Sequence, residues 1–290
     1  MTFEGIQRSL QIDRGEFEMI ENEKYTNLLS YLQKLEKVVL AFSGGVDSTF
    51  LLRAAKEALG DNLKAVTIHS PYTPKWEIEE AKQLAQGLGV AHDIIEAPII
   101  DSIRNNPENR CYLCKTAVFR MIKSVANNQG YHYVIDGTNF DDLRDYRPGL
   151  KALQELEVKS PLLECQLTKQ EIRSLSRELR LNTWDKPSYA CLLTRIPYGN
   201  ELKVEAFEMI ENAEKYMMDR GFRAVRVRCH ENLARIEVDR KDRIRLFDEK
   251  IFDEISSKFK EFGFKYVTLD LQGYRVGSFN ETMASTTTNI

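Results

Sequence analysis

A glycine-containing loop gives the clearest chemical signal in the sequence. The segment SGGVDS, residues 43–48, lies between a continuously apolar run and a stretch with apolar residues at helical spacing. Glycines let the backbone approach an oxyanion, and the N–H groups at a helix start favour phosphate. The hydroxyls of Ser43, Ser48 and Thr49 add donors. Because no Gly-Lys-Ser/Thr closes the loop, it differs from the P-loop that holds phosphates with a lysine. The alternative is a capped helix after a glycine turn.

Three of the five cysteines form the second candidate group. Two residues separate Cys111 from Cys114, and Cys191 follows far along the chain. The Cys-x-x-Cys spacing suits zinc, a redox disulfide or an iron–sulfur cluster. No fourth Cys or His has an obvious spacing that closes a zinc site, whereas three thiolates would leave one iron of a [4Fe–4S] cluster open. The alternative is three unrelated buried thiols, which is also what we expect of Cys165 and Cys229.

Arg226 and Arg228 form a third candidate group. They lie two positions apart in a predicted strand, where alternate residues project from the same face. Two adjacent guanidinium groups suit a phosphate or a dicarboxylate. A solvated basic face balanced by nearby acids explains the spacing equally well.

The remaining polar candidates are ambiguous. Asp141, Asp142 and Asp145 follow a predicted strand and could either help to hold Mg²⁺ or stabilise a loop. None of the histidines forms a triad with a visible nucleophile motif, so no catalytic role is assigned to them.

Strands that alternate with helices are predicted to hold these residues. Apolar, β-branched runs predict strands at 38–42, 64–69, 91–97 and 131–136, and helical spacing predicts helices at 48–59, 77–88 and 116–127. This alternation is typical of βαβ units in an α/β fold, with a doubly wound, mostly parallel, Rossmann-like sheet. The glycine loop would then join the first strand to its helix.

A change of pattern after Arg195 indicates a second domain. Residues 196–199 contain a proline and a glycine and predict a linker. Beyond it, helices are predicted at 201–221 and 243–262, and strands at 224–229, 233–238 and 265–271. The sequence therefore predicts a large domain over 1–195 and a smaller α+β domain over 196–290.

Composition excludes several classes of protein. The 290 residues are 42% hydrophobic and 29% charged, as in ordinary globular chains. Forty-one Lys and Arg against 44 Asp and Glu give a net charge of −3, which supplies no overall attraction to nucleic acid or to an anionic membrane. The first twenty residues contain no continuous apolar stretch. We expect a cytoplasmic protein whose cysteines are thiols, ligands or reactants.

Further motifs accompany the loop. They are NRCYxCK at 109–115, DGTN at 136–139, KP at 186–187 leading to ACL at 190–192, RIPYG at 195–199 and LDLxGYRxGS at 269–278. Together with SGGVDST, these segments resemble the LarE family of ATP-dependent sulfur transferases, which carry the PP-loop of the ATP pyrophosphatases. The resemblance extends from the first strand to about residue 280.

The resemblance implies a step in making the nickel-pincer nucleotide cofactor. Family members use MgATP to adenylate carboxylates of pyridinium-3,5-biscarboxylic acid mononucleotide and convert them to thiocarboxylates. By matching position, the resemblance assigns ATP to Ser43, Gly44, Gly45, Asp47 and Ser48, with Asp47 also counted as catalytic. It assigns the substrate to Lys115, Arg226 and Arg228, and leaves the contact made by Arg195 undefined.

The source of sulfur divides this family into two branches. In one branch the cysteine matching Cys191 attacks and loses its own sulfur, leaving dehydroalanine. In the other, three cysteines bind a [4Fe–4S] cluster whose open iron carries the donated sulfide. Because cysteines stand at all three positions, the resemblance implies that Cys111, Cys114 and Cys191 are cluster ligands, with Cys191 also counted as catalytic. Sacrificial donation by Cys191 is the alternative.

The competing functions are those of other PP-loop enzymes and of a non-catalytic ATP-binding protein. An amide ligase with a PP-loop would not need the three cysteines, and a tRNA thiolase would ordinarily carry a basic surface, which a pI near 6.0 does not indicate. A non-catalytic ATP-binding protein would bind nucleotide without releasing pyrophosphate. We expect a homo-oligomer that acts on a small pyridinium nucleotide and works with other enzymes of the nickel-pincer pathway. Neither nucleic acid nor a membrane is an expected partner.

Overall fold

The structure is a computed structural model that describes residues 22–144 and 148–275. Within these ranges the chain divides into two compact units. The first comprises the described residues up to Ser70, Lys75–Ile100 and the described residues of Asn109–Ser188. The second comprises Pro71–Pro74, Asp101–Glu108 and the described residues from Tyr189 onwards. The chain passes from the first unit to the second between Ser188 and Tyr189, so the predicted domain boundary at 195/196 lies inside the second unit.

The apolar run at 38–42 forms a central strand of a parallel sheet in the first unit. The strands are β1 (Val38–Ala41), β2 (Leu63–His69), β3 (Ala91–Glu96) and β4 (Tyr133–Ile135). Their order is β3-β2-β1-β4, and each neighbouring pair is parallel. Val38 and Leu40 pack in one core cluster and Val39 in another, because successive side chains point to opposite faces.

Helices cover both faces of this sheet. They are α1 (Glu23–Leu35), α2 (Val46–Leu59), α3 (Lys75–Gly87), α4 (Arg110–Asn128), α5 (Pro148–Glu155), α6 (Pro161–Glu164) and α7 (Lys169–Glu178). Residues of α1, α2, α3 and α7 pack in the core cluster that contains Val38, and residues of α4 and α5 pack in the cluster that contains Val39. The predicted α/β fold with a doubly wound parallel sheet is confirmed.

The predicted helix at 116–127 begins earlier than expected. Its first turn starts at Arg110, so Cys111 and Cys114 lie on α4 and not on a turn. Short 3₁₀ segments complete this unit at Gly60–Asn62 and Phe140–Arg144.

The second unit contains a small mixed sheet. Its helices are α8 (Val204–Asp219) and α9 (Glu249–Glu261), and its strands are β5 (Val225–His230), β6 (Leu233–Val238) and β7 (Tyr266–Leu269). β6 lies between its neighbours, antiparallel to β5 and parallel to β7. Further 3₁₀ segments lie at Asp101–Ile103, Leu192–Arg195 and Arg243–Leu246.

The continuous helix predicted over 243–262 is wrong. The segment begins as the 3₁₀ turn at Arg243–Leu246, and α9 starts afresh after Asp248. The Asp248 carboxylate accepts hydrogen bonds from the N–H groups of Lys250 and Ile251 at 2.9 and 3.2 Å. An aspartate in this position caps a new helix, which is why the pattern is interrupted there.

Among the described helices, none combines the length and the apolar character needed to cross a membrane.

Candidate active site

The glycine loop lies at the carboxyl end of β1 and opens α2. Gly44 has φ +69°, and a Cβ on it would lie 3.3 Å from the Cβ of Ala81. Gly45 is the N-cap residue of α2 and makes no side-chain cap hydrogen bond. The Ser43 and Ser48 hydroxyl oxygens are 3.1 Å apart. The start of α2 therefore presents backbone N–H groups and two hydroxyls at one point, which suits an anionic phosphate.

A second loop approaches the same helix start. A Cβ at Gly137, two residues after β4, would lie 3.1 Å from the backbone nitrogen of Ser48. The preceding Asp136 is buried, and its carboxylate accepts hydrogen bonds from the hydroxyls of Thr138 and Ser160, both at 2.6 Å. The neighbouring parallel strands β1 and β4 thus bring the SGGVDS and DGTN segments together at one edge of the sheet.

Asp47 forms an ion pair that the sequence did not indicate. Its Oδ2 lies 2.5 Å from Nζ of Lys169, the first residue of α7. The Thr168–Glu171 capping box fixes the start of this helix. The other oxygen of Asp47, Oδ1, is buried and has no hydrogen-bond partner among the described residues. One carboxylate oxygen is thus held by a lysine, and the other is left without a hydrogen bond among the described residues.

Lys186 is a second lysine at the glycine loop. Its Nζ donates to the carbonyl oxygen of Gly44 at 3.0 Å and pairs with Glu80 at 2.7 Å. It also lies 5.8 Å from the ring centroid of Trp76. Lys186 belongs to one of the motifs of the resemblance, but sequence analysis assigned no role to it.

Two aspartates after β4 accept hydrogen bonds from backbone N–H groups. Asp142 accepts a hydrogen bond from the N–H of Asn139 at 3.0 Å, and Asp141 accepts one from the N–H of Lys169 at 2.8 Å. These contacts favour the loop-stabilising interpretation over Mg²⁺ binding for this pair. Asp145 lies outside the described residues.

Cys111 and Cys114 lie three residues apart on α4, and positions at this spacing share a helix face. Cys111 is exposed and Cys114 is half-buried. Lys115 follows directly, and its aliphatic chain lies against Gly149 of α5. Cys191 is exposed and belongs to the second unit. In the part of the chain that the structure describes, no three His, Cys, Asp or Glu side chains gather as a metal site.

Cys165 and Cys229 have a different environment. Burial raises the pKa of the Cys165 thiol, and it raises that of Cys229 to about 11. The Cys229 sulfur also donates to the carbonyl of Glu231 at 3.3 Å. Because a protonated thiol is a poor nucleophile and metal ligand, these two cysteines suit packing.

Arg195 joins the 3₁₀ turn after Cys191 to α8, within the second unit. This side chain is 1% exposed, and its guanidinium pairs in two-point geometry with Glu214 at 2.8 and 3.0 Å. It also donates to the carbonyl oxygens of Ala190 and Cys191 at 2.9 and 3.3 Å. Sequence analysis left the contact of Arg195 undefined. In the structure, Arg195 binds the backbone carbonyls at and before Cys191.

Arg226 and Arg228 are buried in a charged network of the second unit. Arg228 makes a two-point pair with Glu237 at 2.8 and 2.9 Å and donates to the carbonyl of Thr194 at 2.6 Å. Together with Arg195 and Glu214 they make a set of five charged residues, each at most 6% exposed. The solvated basic face considered from sequence is therefore wrong.

This buried set carries an excess of positive charge, because three guanidinium groups stand against two carboxylates. Arg226 bears the consequence: burial and the neighbouring Arg195 charge lower its pKa below the ordinary value. Its guanidinium lies 5.2 and 4.8 Å from the ring centroids of Tyr189 and Tyr274. A buried, stacked cation next to another cation is an environment that an anion would stabilise.

The sequence is similar to one family model and to several known proteins. A family model described as NAD synthase matches residues 21–138, the part that contains the glycine loop. An uncharacterised protein of Synechocystis is 42% identical over 91% of this chain and 99% of its own. An uncharacterised protein of Methanocaldococcus jannaschii is 35% identical over 87% of this chain and 96% of its own.

A relative with a named activity aligns over the same extent. The pyridinium-3,5-bisthiocarboxylic acid mononucleotide synthase of Lactiplantibacillus plantarum is 38% identical over 264 residues, which is 90% of this chain and 95% of that enzyme. Because a similarity of this strength spans nearly all of both chains, the protein belongs to the LarE family of ATP-using PP-loop enzymes.

Proposed function

We propose that this protein is an ATP-dependent sulfur transferase that converts carboxylates of pyridinium-3,5-biscarboxylic acid mononucleotide to thiocarboxylates. The observation that carries the proposal is the nearly full-length similarity to the Lactiplantibacillus plantarum synthase. A carboxylate oxygen of the substrate attacks the α-phosphorus of ATP, the bond to the β-phosphate oxygen breaks, and pyrophosphate leaves. Sulfide then attacks the acyl carbon and displaces AMP.

The start of α2 supports the assignment of the ATP phosphates to this loop. Gly44, Gly45 and the Ser43 and Ser48 hydroxyls surround free helix N–H groups, which stabilise negative charge. The unpartnered Oδ1 of Asp47 fits Mg²⁺, since this ion prefers carboxylate oxygens. Bound there, Mg²⁺ would neutralise phosphate charge. Lys169 holds the other oxygen of Asp47 and orients the carboxylate.

The excess positive charge around Arg226 supports recognition of the substrate phosphate in the second unit. Arg228 binds Glu237 and Thr194 through its guanidinium, which suits it to holding the site in shape. Arg226, whose guanidinium donates to the Val225 carbonyl and lies over two aromatic rings, is our candidate for direct contact. Lys115 lies on the helix that carries Cys111 and Cys114, and a lysine beside a reacting carboxylate would stabilise its negative charge.

The cysteines support sulfur delivery from a cluster. The thiols of Cys111, Cys114 and Cys191 are exposed or half-buried, and thiolates are the ligands that [4Fe–4S] clusters use, so the donor set fits. When bound by three thiolates, such a cluster supplies an iron with an open position for a sulfide. Arg195 would keep the backbone that carries Cys191 in place.

The proposal extends to the location, assembly and partners of the protein. We propose a cytoplasmic homo-oligomer that passes its product to other enzymes of the nickel-pincer pathway, since a thiocarboxylate is a suitable nickel ligand.

The adenylation is tested by pyrophosphate release. The purified protein with MgATP should release pyrophosphate only when the pyridinium biscarboxylate nucleotide is present. Pyrophosphate release with ammonia incorporated as an amide would indicate an amide ligase instead. ATP binding without any release would indicate a non-catalytic protein, and release that requires tRNA would indicate a tRNA thiolase.

The sulfur source is tested on anaerobically prepared protein. Replacing any one of Cys111, Cys114 and Cys191 by Ala should lower both iron content and activity, whereas Cys165→Ala, the control, should change neither. After turnover, mass spectrometry should find residue 191 intact. Loss of H₂S at Cys191, with full activity in the Cys111→Ala, Cys114→Ala double variant, would establish sacrificial donation and refute the cluster.

A further inference from the structure

Gly149 lies where any side chain would meet Lys115. A Cβ built on Gly149 would be 2.6 Å from Cδ of Lys115, 3.1 Å from Cε and 3.5 Å from Cγ. Real Cβ contacts are essentially never shorter than 3.0 Å. The aliphatic chain of Lys115 therefore runs through the space that the missing side chain leaves on α5.

The two helices cannot easily separate to make room. The Tyr112 hydroxyl of α4 donates to Glu155 of α5 at 2.7 Å, and Lys123 of α4 donates to the carbonyl of Leu156 at 2.7 Å. Phe119 and Ile122 pack in the same core cluster as Leu153. Leu150, next to Gly149, packs against that cluster as well. Because these contacts hold α5 against α4, an added methyl group at position 149 would displace the flexible lysine and leave the backbone in place.

The position of the Lys115 ammonium depends on this packing. Over the described ranges 22–144 and 148–275, no carboxylate forms an ion pair with Lys115. Its direction is thus set by the surface over which its stem lies, and Gly149 leaves that surface without a side chain.

We propose that Gly149 is a positioning residue for the reaction: it leaves the space through which the Lys115 side chain runs and so directs the ammonium to the substrate. The inference rests on the proposed function of Lys115 as a substrate-binding residue. Gly149 itself touches no substrate, and it acts by the absence of a side chain. Because α5 is helical at this position and alanine favours a helix more than glycine does, Gly149→Ala should not destabilise the protein.

The test compares Gly149→Ala, Lys115→Ala and the double variant in substrate-dependent pyrophosphate release. Gly149→Ala should lower kcat/KM for the pyridinium biscarboxylate nucleotide on the order of 10- to 100-fold, since small misplacements of a substrate-contacting group cost this much. The Kd for ATP should stay unchanged. The melting temperature should stay unchanged or rise. In the Lys115→Ala background, Gly149→Ala should have no further effect, because the group it positions is gone. Lys151→Ala, an exposed change on the same helix, serves as the control and should behave as wild type.

The outcomes separate this inference from the proposed function. If Lys115→Ala is impaired and Gly149→Ala is fully active, the positioning role fails while the role of Lys115 stands. If Lys115→Ala is as active as the wild type, the assignment of Lys115 fails and the inference fails with it. If Gly149→Ala loses the same activity in both backgrounds, or lowers the melting temperature and ATP affinity together, its effect is structural and the proposal is refuted.

Discussion

Replacing Arg226 and Arg228 separately by Met should cause two different losses, although the residues share one face of β5. Arg228 neutralises the buried carboxylate of Glu237, which is 2% exposed. Burial and the neighbouring Arg195 charge lower the pKa of Arg226, although the Glu214 carboxylate acts in the opposite direction. We therefore expect Arg228 mainly to stabilise the fold and Arg226 mainly to bind the ligand.

The structure gives a magnitude for each change. Breaking a buried ion pair by removing one partner costs about 3–5 kcal/mol. Arg235 remains 3.1 Å from Glu237 after Arg228→Met, so we expect the lower end, a loss of about 3 kcal/mol in the free energy of unfolding. Arg226→Met should lower that free energy less than Arg228→Met does, because removing the repulsion from Arg195 offsets part of the lost attraction to Glu214 and of the lost hydrogen bond to the Val225 carbonyl. It should instead weaken substrate binding by about 1.5–3 kcal/mol, roughly 10- to 150-fold in Kd.

Two measurements check the difference. Urea denaturation gives the free energy of unfolding of each variant, and calorimetric titration gives the Kd for the pyridinium biscarboxylate nucleotide and for the same nucleoside without phosphate. Arg226→Met should bind both ligands with similar affinity, whereas the wild type should prefer the phosphorylated one. If Arg226→Met is destabilised as much as Arg228→Met, or still discriminates between the two ligands, the reasoning from charge balance is wrong.

Two further changes probe the first unit. Gly45→Val should keep the fold, because φ at Gly45 is −77° and suits any residue, but it should sharply weaken ATP binding in a direct titration; normal binding would remove the PP-loop assignment. Burial lowers the pKa of His92 below its ordinary 6.5, so the unfolded chain takes up this proton at a higher pH than the folded protein does. The free energy of unfolding should therefore fall as pH drops below about 6.5, and His92→Gln should reduce that dependence; an unaltered pH profile in denaturation experiments would contradict this. His230, whose pKa is also lowered, should contribute in the same direction.

Local sequence was enough to predict the strand, loop and helix around the SGGVDS segment and the α/β class of the fold. The SGGVDS segment lies between a run of buried, β-branched residues and a helical pattern, and each of these signals depends only on neighbours in the chain. For this reason the strands β1 to β4 and the helices α2 and α3 were predicted nearly at their observed positions, whereas α4 begins at Arg110, well before its predicted start at 116. Where a local capping signal was overlooked, as at Asp248, the predicted helix was wrong.

What the sequence could not give was the pairing of charges between distant segments. Lys169 meets Asp47 across 122 positions, and Lys186 reaches the Gly44 carbonyl across 142, so neither contact leaves a local pattern. The same holds for the buried network: the spacing of Arg226 and Arg228 placed both on one face but could not tell which of them pairs with Glu237. In the antiparallel β5–β6 register Glu237 stands opposite Arg226, yet its carboxylate pairs with Arg228, two positions along the strand. Local spacing therefore determined which groups are present, and only the tertiary structure decided which charges meet, because burial and distance set the energy of a charge.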